Sequence, residues 1–470
     1  MADITFQRSE YTNALPVWQL VADVCAGERE IKVKGEAYLP KPNPDDKSKD
    51  NQTRYDQYKA RAVFYNATGR TKQGLVGAVF RKDPVLAVPN TLEYVKTDAD
   101  GCGVSVFQQS QGVLERVLEK GRHALFVDYP NVEAATSRAQ QLAGLVQANI
   151  ISVSADQVVH WKTVKVGAVH RLSVVVIREV IEQDTDDGFG LESIEQYRRL
   201  LLLDGVYTVE IWQKRESSWE IVDDSQPLDG NGQPWDIIPF QFVGSKNNDP
   251  TVDEAPLADL AIINIAHYRN SADYEDSVFF VGQAQPWISG LTEEWRNHIE
   301  KSDLYIGSRT PITLPEGGAF GFAQAQPNTL VKEAMDQKER QMVALGARLI
   351  ERGNAVKTAT EAQSDNESEH SVLSLVAANV SEAYVTALGW AARFMRSEGE
   401  IQYALNQDFA EHRLDAQMLT ALVSAWQSGN LPRADLWAQF RKSGLIDPEK
   451  DDETVKDELE GEGAGLGLEK

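Results

Sequence analysis

One group of carboxylates lies close enough together in the sequence to suggest a metal ion. Asp184, Asp186 and Asp187 fall within a DTDDG segment, and clustered carboxylate oxygens suit hard cations. A metal-binding loop needs further ligands at set spacing, and this short segment does not supply that pattern. We therefore interpret it as a solvated turn.

A second group holds the residue types of a nucleophilic triad. Asp365, Ser368 and His370 lie within six positions of one polar stretch. Near neighbours in such a stretch cannot hold the geometry that nucleophilic catalysis requires. His267, inside a helical pattern, is more often a packed or capping imidazole than a ligand. No catalytic constellation emerges from these residues.

The short motifs that carry chemistry are also missing from the sequence. It has no GxxxxGK[ST] or GxGxxG phosphate-binding loop, no GxSxG turn and no HExxH helix. The two cysteines, Cys25 and Cys102, belong to no CxxC or Cys/His cluster, which predicts neither a zinc site nor a disulfide framework. The sequence therefore predicts a protein that is not an enzyme and has no metal or cofactor.

Length and charge limit the remaining possibilities. At about 150 residues per domain, 470 residues correspond to roughly three compact units. The 71 acidic and 47 basic side chains give a net charge of −24, which argues against broad binding of nucleic-acid phosphates. The N-terminal MADITFQRSE lacks the layout of a secretion signal, and no run of about 18 apolar residues occurs. We expect a soluble chain made in the cytoplasm, with no membrane contact.

The first half of the chain reads as an α+β domain. Residues 53–80 resemble one long helix that ends at DPVLAVP. GVLERVLEK then has helical spacing, Gly121 is a plausible stop, and HALFVDY is a buried strand. The segments from ISVSADQVVHW to SWEIVDD alternate as in a mixed or antiparallel sheet.

The second half has the pattern of long helices. Residues 253–281 and 329–352 predict two of them, which bracket a compact insert with one brief helix at 292–301. This insert is too small to bury both Trp287 and Trp295, so we expect them to face a partner subunit. A third long helix, at 371–396, is apolar nearly all round. The tail from residue 447 has ten acids and three lysines, which predicts disorder.

The order of these elements resembles the portal proteins, or head-to-tail connectors, of tailed bacteriophages. The resemblance rests on GVLERVLEKGRHALFVDYP, IIPFQFVGSKNNDP, FFVGQAQPWISG and RGNAVKTATEAQSD, in that order and spacing. It implies the phage portal fold, with an α/β wing, a two-helix stem, a small α/β clip, a long wing helix and a helical crown. The implied boundaries are 1–252 for the N-terminal wing region, 253–281 and 329–352 for the stem helices, 282–328 for the clip, 353–370 for the tunnel loop, 371–396 for the long wing helix, 397–446 for the crown and 447–470 for the acidic tail.

The resemblance also implies a function and partners. Portal proteins form a ring, usually of twelve subunits, at the portal vertex of the capsid, after assembly in the host cytoplasm. Double-stranded DNA passes through the ring during packaging and ejection. Terminase and tail adaptor proteins bind the clip, where Trp287 and Trp295 lie, and the major capsid and scaffolding proteins are further partners. Candidate DNA-channel residues in the tunnel loop are Asn354, Lys357, Thr358 and Thr360.

Two other functions remain open from the residues alone. Acidic α+β proteins with many tryptophans include polysaccharide-acting hydrolases that use a pair of carboxylates, although no pair stands out here. The other alternative is a ring-forming virion component through which no DNA passes.

Overall fold

The computed structural model describes residues 4–129, 146–185, 188–282, 285–301, 314–323, 329–350, 371–407, 409, 416–442, 445–447 and 450–463. Contacts divide the chain into two units, Met1–Gln407 and Asp408–Lys470. Helices and a largely separate antiparallel sheet make the fold α+β, as predicted. The division follows Gln407.

The N-terminal region is helical. It contains α1 (Ser9–Ala26), α2 (Glu28–Lys34), α3 (Lys49–Arg61) and α4 (Ala67–Val79). The single helix predicted over residues 53–80 is therefore wrong. Asn66 begins a new helix, because its side chain accepts a hydrogen bond from the Gly69 backbone N–H at 2.9 Å.

A helix and three strands form the centre of the first unit. Helix α5 (Val106–Lys120) starts at a capping box on Ser105 and ends at Gly121, whose φ of 69° is left-handed. Strand β2 (Arg122–Asp128) follows, as predicted, and pairs antiparallel with β3 (Asn149–Ser154) and β9 (Phe240–Gly244). The apolar face of α5 packs on β2.

The start of the first alternating segment joins β2 as strand β3, and the rest of the segments form one five-stranded antiparallel sheet in chain order, which is the antiparallel alternative of the predicted mixed or antiparallel sheet. Its strands are β4 (Val158–Val166), β5 (Val169–Asp184), β6 (Leu191–Leu203), β7 (Val206–Arg215) and β8 (Ser218–Ser225). Asp184 is exposed at the end of β5, while Asp186 and Asp187 lie outside the described residues. Among the described residues, no group of acidic, histidine or cysteine side chains could hold a metal ion.

Two long helices flank the insert. They are α6 (Ala258–Val281) and α8 (Thr329–Arg348), and they pack against each other. The insert contains strand β10 (Gln285–Ser289), helix α7 (Glu293–Lys301) and strand β11 (Ala319–Ala323). The brief helix predicted at 292–301 is thus confirmed, and β10 and β11 pair antiparallel.

The third long helix, α9 (Val372–Phe394), lies in the core of the first unit. It is long and apolar enough to cross a membrane, but 61% of its most apolar window is buried inside the protein. It packs on α5, β2, β9 and β12 (Gln402–Ala404), and β12 pairs with β1 (Val85–Ala87). Burial in the core accounts for the apolar surface of α9.

The second unit contains α10 (Ala416–Gln427), α11 (Arg433–Lys442) and α12 (Asp452–Gly463). The prediction of disorder from residue 447 is therefore wrong for residues 452–463; residues 464–470 lie outside the described part. The composition of the acidic tail could not show that individual acidic side chains there are paired with nearby basic ones. Lys450 pairs with Glu458 at 2.7 Å, Arg441 pairs with Asp452, and the Asp451 carboxylate caps the helix by accepting from the Thr454 N–H.

Candidate functional site

The first half of α6 is fixed to the N-terminal helices by a buried amide. Asn264 is fully buried, and its carbonyl oxygen accepts from the Thr68 backbone N–H at 3.1 Å and from the Thr68 hydroxyl at 2.9 Å. Its amide nitrogen donates to the Tyr65 carbonyl at 2.7 Å. Because Thr68 lies in the first turn of α4 and Tyr65 lies just before that helix, the Asn264 side chain sets where α4 and α6 meet.

The second half of α6 is held by an ionic clamp from α3. The Arg54 guanidinium donates to both carboxylate oxygens of Asp276, at 2.8 and 2.5 Å, and Arg61 donates to one of them at 2.8 Å. One turn earlier, the Tyr58 hydroxyl donates to Asp273 at 2.6 Å. The Arg54 hydrogen bond is the main reason why the pKa of Asp276 is lowered.

The same arginines cover two aromatic rings at the end of α6. Arg61 lies 4.1 Å from the ring centre of Phe279, and Arg54 lies 4.8 Å from that of Phe280. Both rings nevertheless remain exposed, as does the preceding Val278. The last turn of α6 is therefore rigidly held but apolar on its outer side.

Helix α8 is covered on one side only. Met342 is its single buried residue within the part of the chain that the structure describes. The His267 imidazole of α6 meets the Glu339 carboxylate at 3.3 Å, and burial lowers the pKa of His267 even though Glu339 acts in the opposite sense. Val343 on α8 and Ile262 on α6 are 73% and 53% exposed. A 20-residue helix with so little buried surface gains little stability from packing within its own domain.

The ribbon formed by β10 and β11 exposes aromatic side chains on both faces. On one face Trp287 lies opposite Gly321, and a Cβ at Gly321 would come within 2.8 Å of the indole ring. Trp287 is 43% exposed. On the other face the Phe320 and Phe322 rings pack edge to face, 5.1 Å apart. An isolated two-stranded ribbon is marginally stable in water, so these side chains are candidates for contact with another protein.

The predicted site residues divide into two groups. Trp287 is exposed on the ribbon, and Trp295 is half-buried on α7, so the two predicted clip residues lie on different elements of the insert. The candidate channel residues Asn354, Lys357, Thr358 and Thr360 lie outside the described residues, as do Asp365, Ser368 and His370.

Four exposed or half-buried aromatic residues were missed by the sequence analysis. Phe279 and Phe280 end α6, and Phe320 and Phe322 alternate along β11. The FF pair immediately before the insert and the FGF alternation inside it were the available signals, because both place large apolar side chains beside a module with little core.

A family model described as "Domain of unknown function (DUF4055)" matches residues 256–395. No curated protein matches the chain. Among solved structures, the chain is similar to the "Neck of native GTA particle computed with C12 symmetry", with 13% identity, 79% of this chain and 88% of that chain covered, and a TM-score of 0.38.

Two further structures match in the same way. One is the "Virion of native gene transfer agent (GTA) particle", with 14% identity, 80% of this chain and 88% of that chain covered, and a TM-score of 0.37. The other is the "Neck of empty GTA particle computed with C6 symmetry", with 14% identity, coverages of 78% and 88%, and a TM-score of 0.37.

Proposed function

We propose that this chain is a portal subunit, a structural rather than an enzymatic protein. Twelve copies form a ring at one capsid vertex, and double-stranded DNA passes through the ring during packaging and ejection. In this proposal α6 and α8 are the stem, the insert between them is the clip, residues 353–370 are the tunnel loop and α9 is the long wing helix. The order of the sequence segments and the geometry of the helix pair support it.

The observation that carries the proposal is the uncovered surface of the helix pair. Helix α8 buries Met342 among its described residues, while Val343 and, on α6, Ile262 face outward. A ring supplies the missing cover, because each subunit then presents one side of its helix pair to a different side of the next. Long helices repeated around an axis also make a continuous wall for a channel.

The charge of the chain suits passage of DNA better than retention of it. Twelve chains of net charge −24 carry −288 in total, which repels a duplex over most of the surface. Contact with DNA is then local. Lys357, with Asn354, Thr358 and Thr360 beside it, would provide weak phosphate contacts around the ring.

The clip is proposed as the docking site for terminase and tail adaptor proteins. Trp287 on one face of the ribbon, and Phe320 and Phe322 on the other, offer the aromatic anchors that protein interfaces favour. The major capsid and scaffolding proteins would contact other parts of the subunit.

The ring is tested by measuring the mass of the purified chain. Twelve copies of a 52.2 kDa chain give about 626 kDa by native mass spectrometry, and negative-stain images should show an annulus with a hole wide enough for duplex DNA. A monomer or small oligomer at assembly concentrations, with no annulus, would refute the proposal.

A matched pair of variants tests the surface that forms the ring. Val343→Glu places a charge on α8 at a site that is 73% exposed in the subunit, so the subunit should fold but fail to form rings. Val33→Glu changes a valine of α2 with the same 73% exposure, outside the helix pair, and should leave the ring intact. Equal assembly of both variants would exclude the helix pair as the interface.

The DNA channel needs a separate test. Deletion of residues 357–364 should leave the ring assembled, because these residues lie beyond both helices of the pair, but should impair packaging or retention of DNA. Loss of ring formation in this variant would contradict the assignment of the tunnel loop.

A further inference from the structure

A cleft of about 330 Å³ lies on one face of the five-stranded sheet, and no residue of the helix pair lines it. Four strands and the N-terminal segment supply its lining, which consists of Ile4, Phe6, His160, Lys162, Val174, Val176, Arg199 and Trp212. This volume corresponds to about ten water molecules. It lies at the lower end of the range for binding pockets, which is roughly 300–1,000 Å³.

The register of the sheet explains why these side chains converge. His160 lies opposite Val176, which lies opposite Arg199, so the three share one face. Lys162 lies opposite Val174 in the next row of the same face. Val174 and Val176 therefore form the apolar floor of the cleft. His160 and Lys162 lie on one side of this floor, and Arg199 lies on the other.

The N-terminal segment closes one side of the cleft. Ile4 is buried, whereas Phe6 is 55% exposed and packs edge to face on His160 with ring centres 5.0 Å apart. On the other side, the Trp212 indole N–H donates to the Glu210 carboxylate at 2.9 Å, which fixes the ring. Aromatic walls thus stand on both sides of the valine floor.

Among the residues that the structure describes, the cationic groups lining the cleft amount to about one net positive charge. Glu210 also accepts from Arg199 at 3.3 Å and so balances that guanidinium. Burial lowers the pKa of His160, and the nearby charges of Arg8, Lys162 and Arg199 lower it further, so the imidazole is neutral at pH 7. Within the part of the chain that the structure describes, the Lys162 ammonium group has no ion-pair partner.

We propose that this cleft binds a carboxylate attached to an apolar body, as presented by an acidic residue beside a large hydrophobic one in a peptide segment of a partner protein. The carboxylate pairs with Lys162, and the apolar part lies on the two valines between Phe6 and Trp212. A single net positive charge matches one carboxylate. It does not match a nucleic-acid backbone, which the chain's net charge of −24 also repels.

The test uses the full chain and a small probe of the same chemistry. N-acetyl-phenylalanine carries one carboxylate and one aromatic ring, and its amide differs only in the charge. Saturation-transfer NMR titration should give millimolar binding of the acid and about tenfold weaker binding of the amide, the difference expected for one charge-assisted hydrogen bond. Lys162→Ala should weaken binding of the acid by about the same factor.

Lys165 provides the matched control. It lies on the same strand, is also exposed and points to the opposite face of the sheet, so Lys165→Ala should leave the affinity unchanged. The proposal would be overturned if the acid and the amide bound with equal affinity, if the two lysine variants lost affinity equally, or if no saturable binding appeared up to about 10 mM. It would also be overturned if inorganic phosphate or oligothymidylate displaced the probe at lower concentrations than acetyl-glutamate does. The readout does not depend on ring formation.

Discussion

The clamp between α3 and α6 gives a sharp test of how the end of the long helix is held. Asp276→Asn keeps the shape of the side chain but removes its charge, and with it the charge-assisted hydrogen bonds from Arg54 and Arg61. The two arginines also lie over the rings of Phe280 and Phe279. We expect the last turns of α6 to open more easily in the variant.

The expected size of the effect follows from the exposure of the partners. Exposed ion pairs contribute about 0–1 kcal/mol, and charge-assisted hydrogen bonds in protected sites contribute up to about 3 kcal/mol. The Asp276 side chain is 15% exposed, Arg61 is 22% exposed and Arg54 is 37% exposed. The contribution of the clamp to the opening free energy should therefore lie between these two limits. Loss of about 2 kcal/mol in opening free energy corresponds to about 30-fold faster exchange of backbone amides.

Hydrogen-exchange mass spectrometry of peptides covering residues 273–281 measures this opening directly. Glu275→Gln is the matched control, because Glu275 lies in the same turn of the helix. Its carboxylate has no ion-pair partner among the described residues. Exchange of residues 258–265 should change little in either variant, because Asn264 holds that half of the helix independently.

The pH dependence checks the electrostatic origin of the effect. The arginines lower the pKa of Asp276 below its ordinary value of 3.8, so its stabilising contribution is full above that value and is lost as the pH falls through the lowered pKa. The difference between wild type and Asp276→Asn should therefore vanish in strong acid. The reasoning is refuted if Asp276→Asn and Glu275→Gln exchange within about threefold of each other near pH 7.

Three further predictions concern the ribbon and the core. Gly321→Ala should displace the Trp287 ring, because the added Cβ would lie within 2.8 Å of it, and oxidative footprinting should show Trp287 reacting faster. Asn264→Leu leaves the buried Thr68 backbone N–H without its acceptor, and urea unfolding should show a loss of about 2–4 kcal/mol. Burial lowers the pKa of His123 to about 3, and a group that must stay neutral when folded destabilises the protein as the pH falls below 6.5. His123 should therefore contribute a drop of about 1.4 kcal/mol in unfolding free energy between pH 7.5 and 5.5, and the drop measured for His123→Gln should be smaller than that of the wild type by this amount.

Several elements could be predicted because their causes are local. The helix α5 stops at Gly121 because a left-handed residue is needed there, and the following apolar run forms β2. The alternating segments predicted a mixed or antiparallel sheet, since side chains on successive residues point to opposite faces, and the sheet is antiparallel. The brief helix of the insert was likewise visible in the spacing of its residues.

The candidate sites were less predictable from the sequence. Trp287 was singled out because a small insert cannot bury two tryptophans, and it is indeed exposed. Phe279 and Phe280 were missed because their surroundings depend on Arg54 and Arg61, more than 200 positions earlier in the chain. The cleft on the sheet was missed for a related reason, since its lining is assembled by strand register from four strands.

The sequence by itself determined the α+β class, the alternating strands of the sheet and the pair of long helices around an insert, because periodicity, caps and turn residues act over a few positions. Only the tertiary structure decided where residues 53–80 divide. Asn264, about 200 positions further along the chain, forms hydrogen bonds with the Tyr65 carbonyl and with the buried Thr68 at that break. A hydrogen bond between distant segments leaves no local pattern, and so the break and the clamp beside it became visible only once the chain was folded.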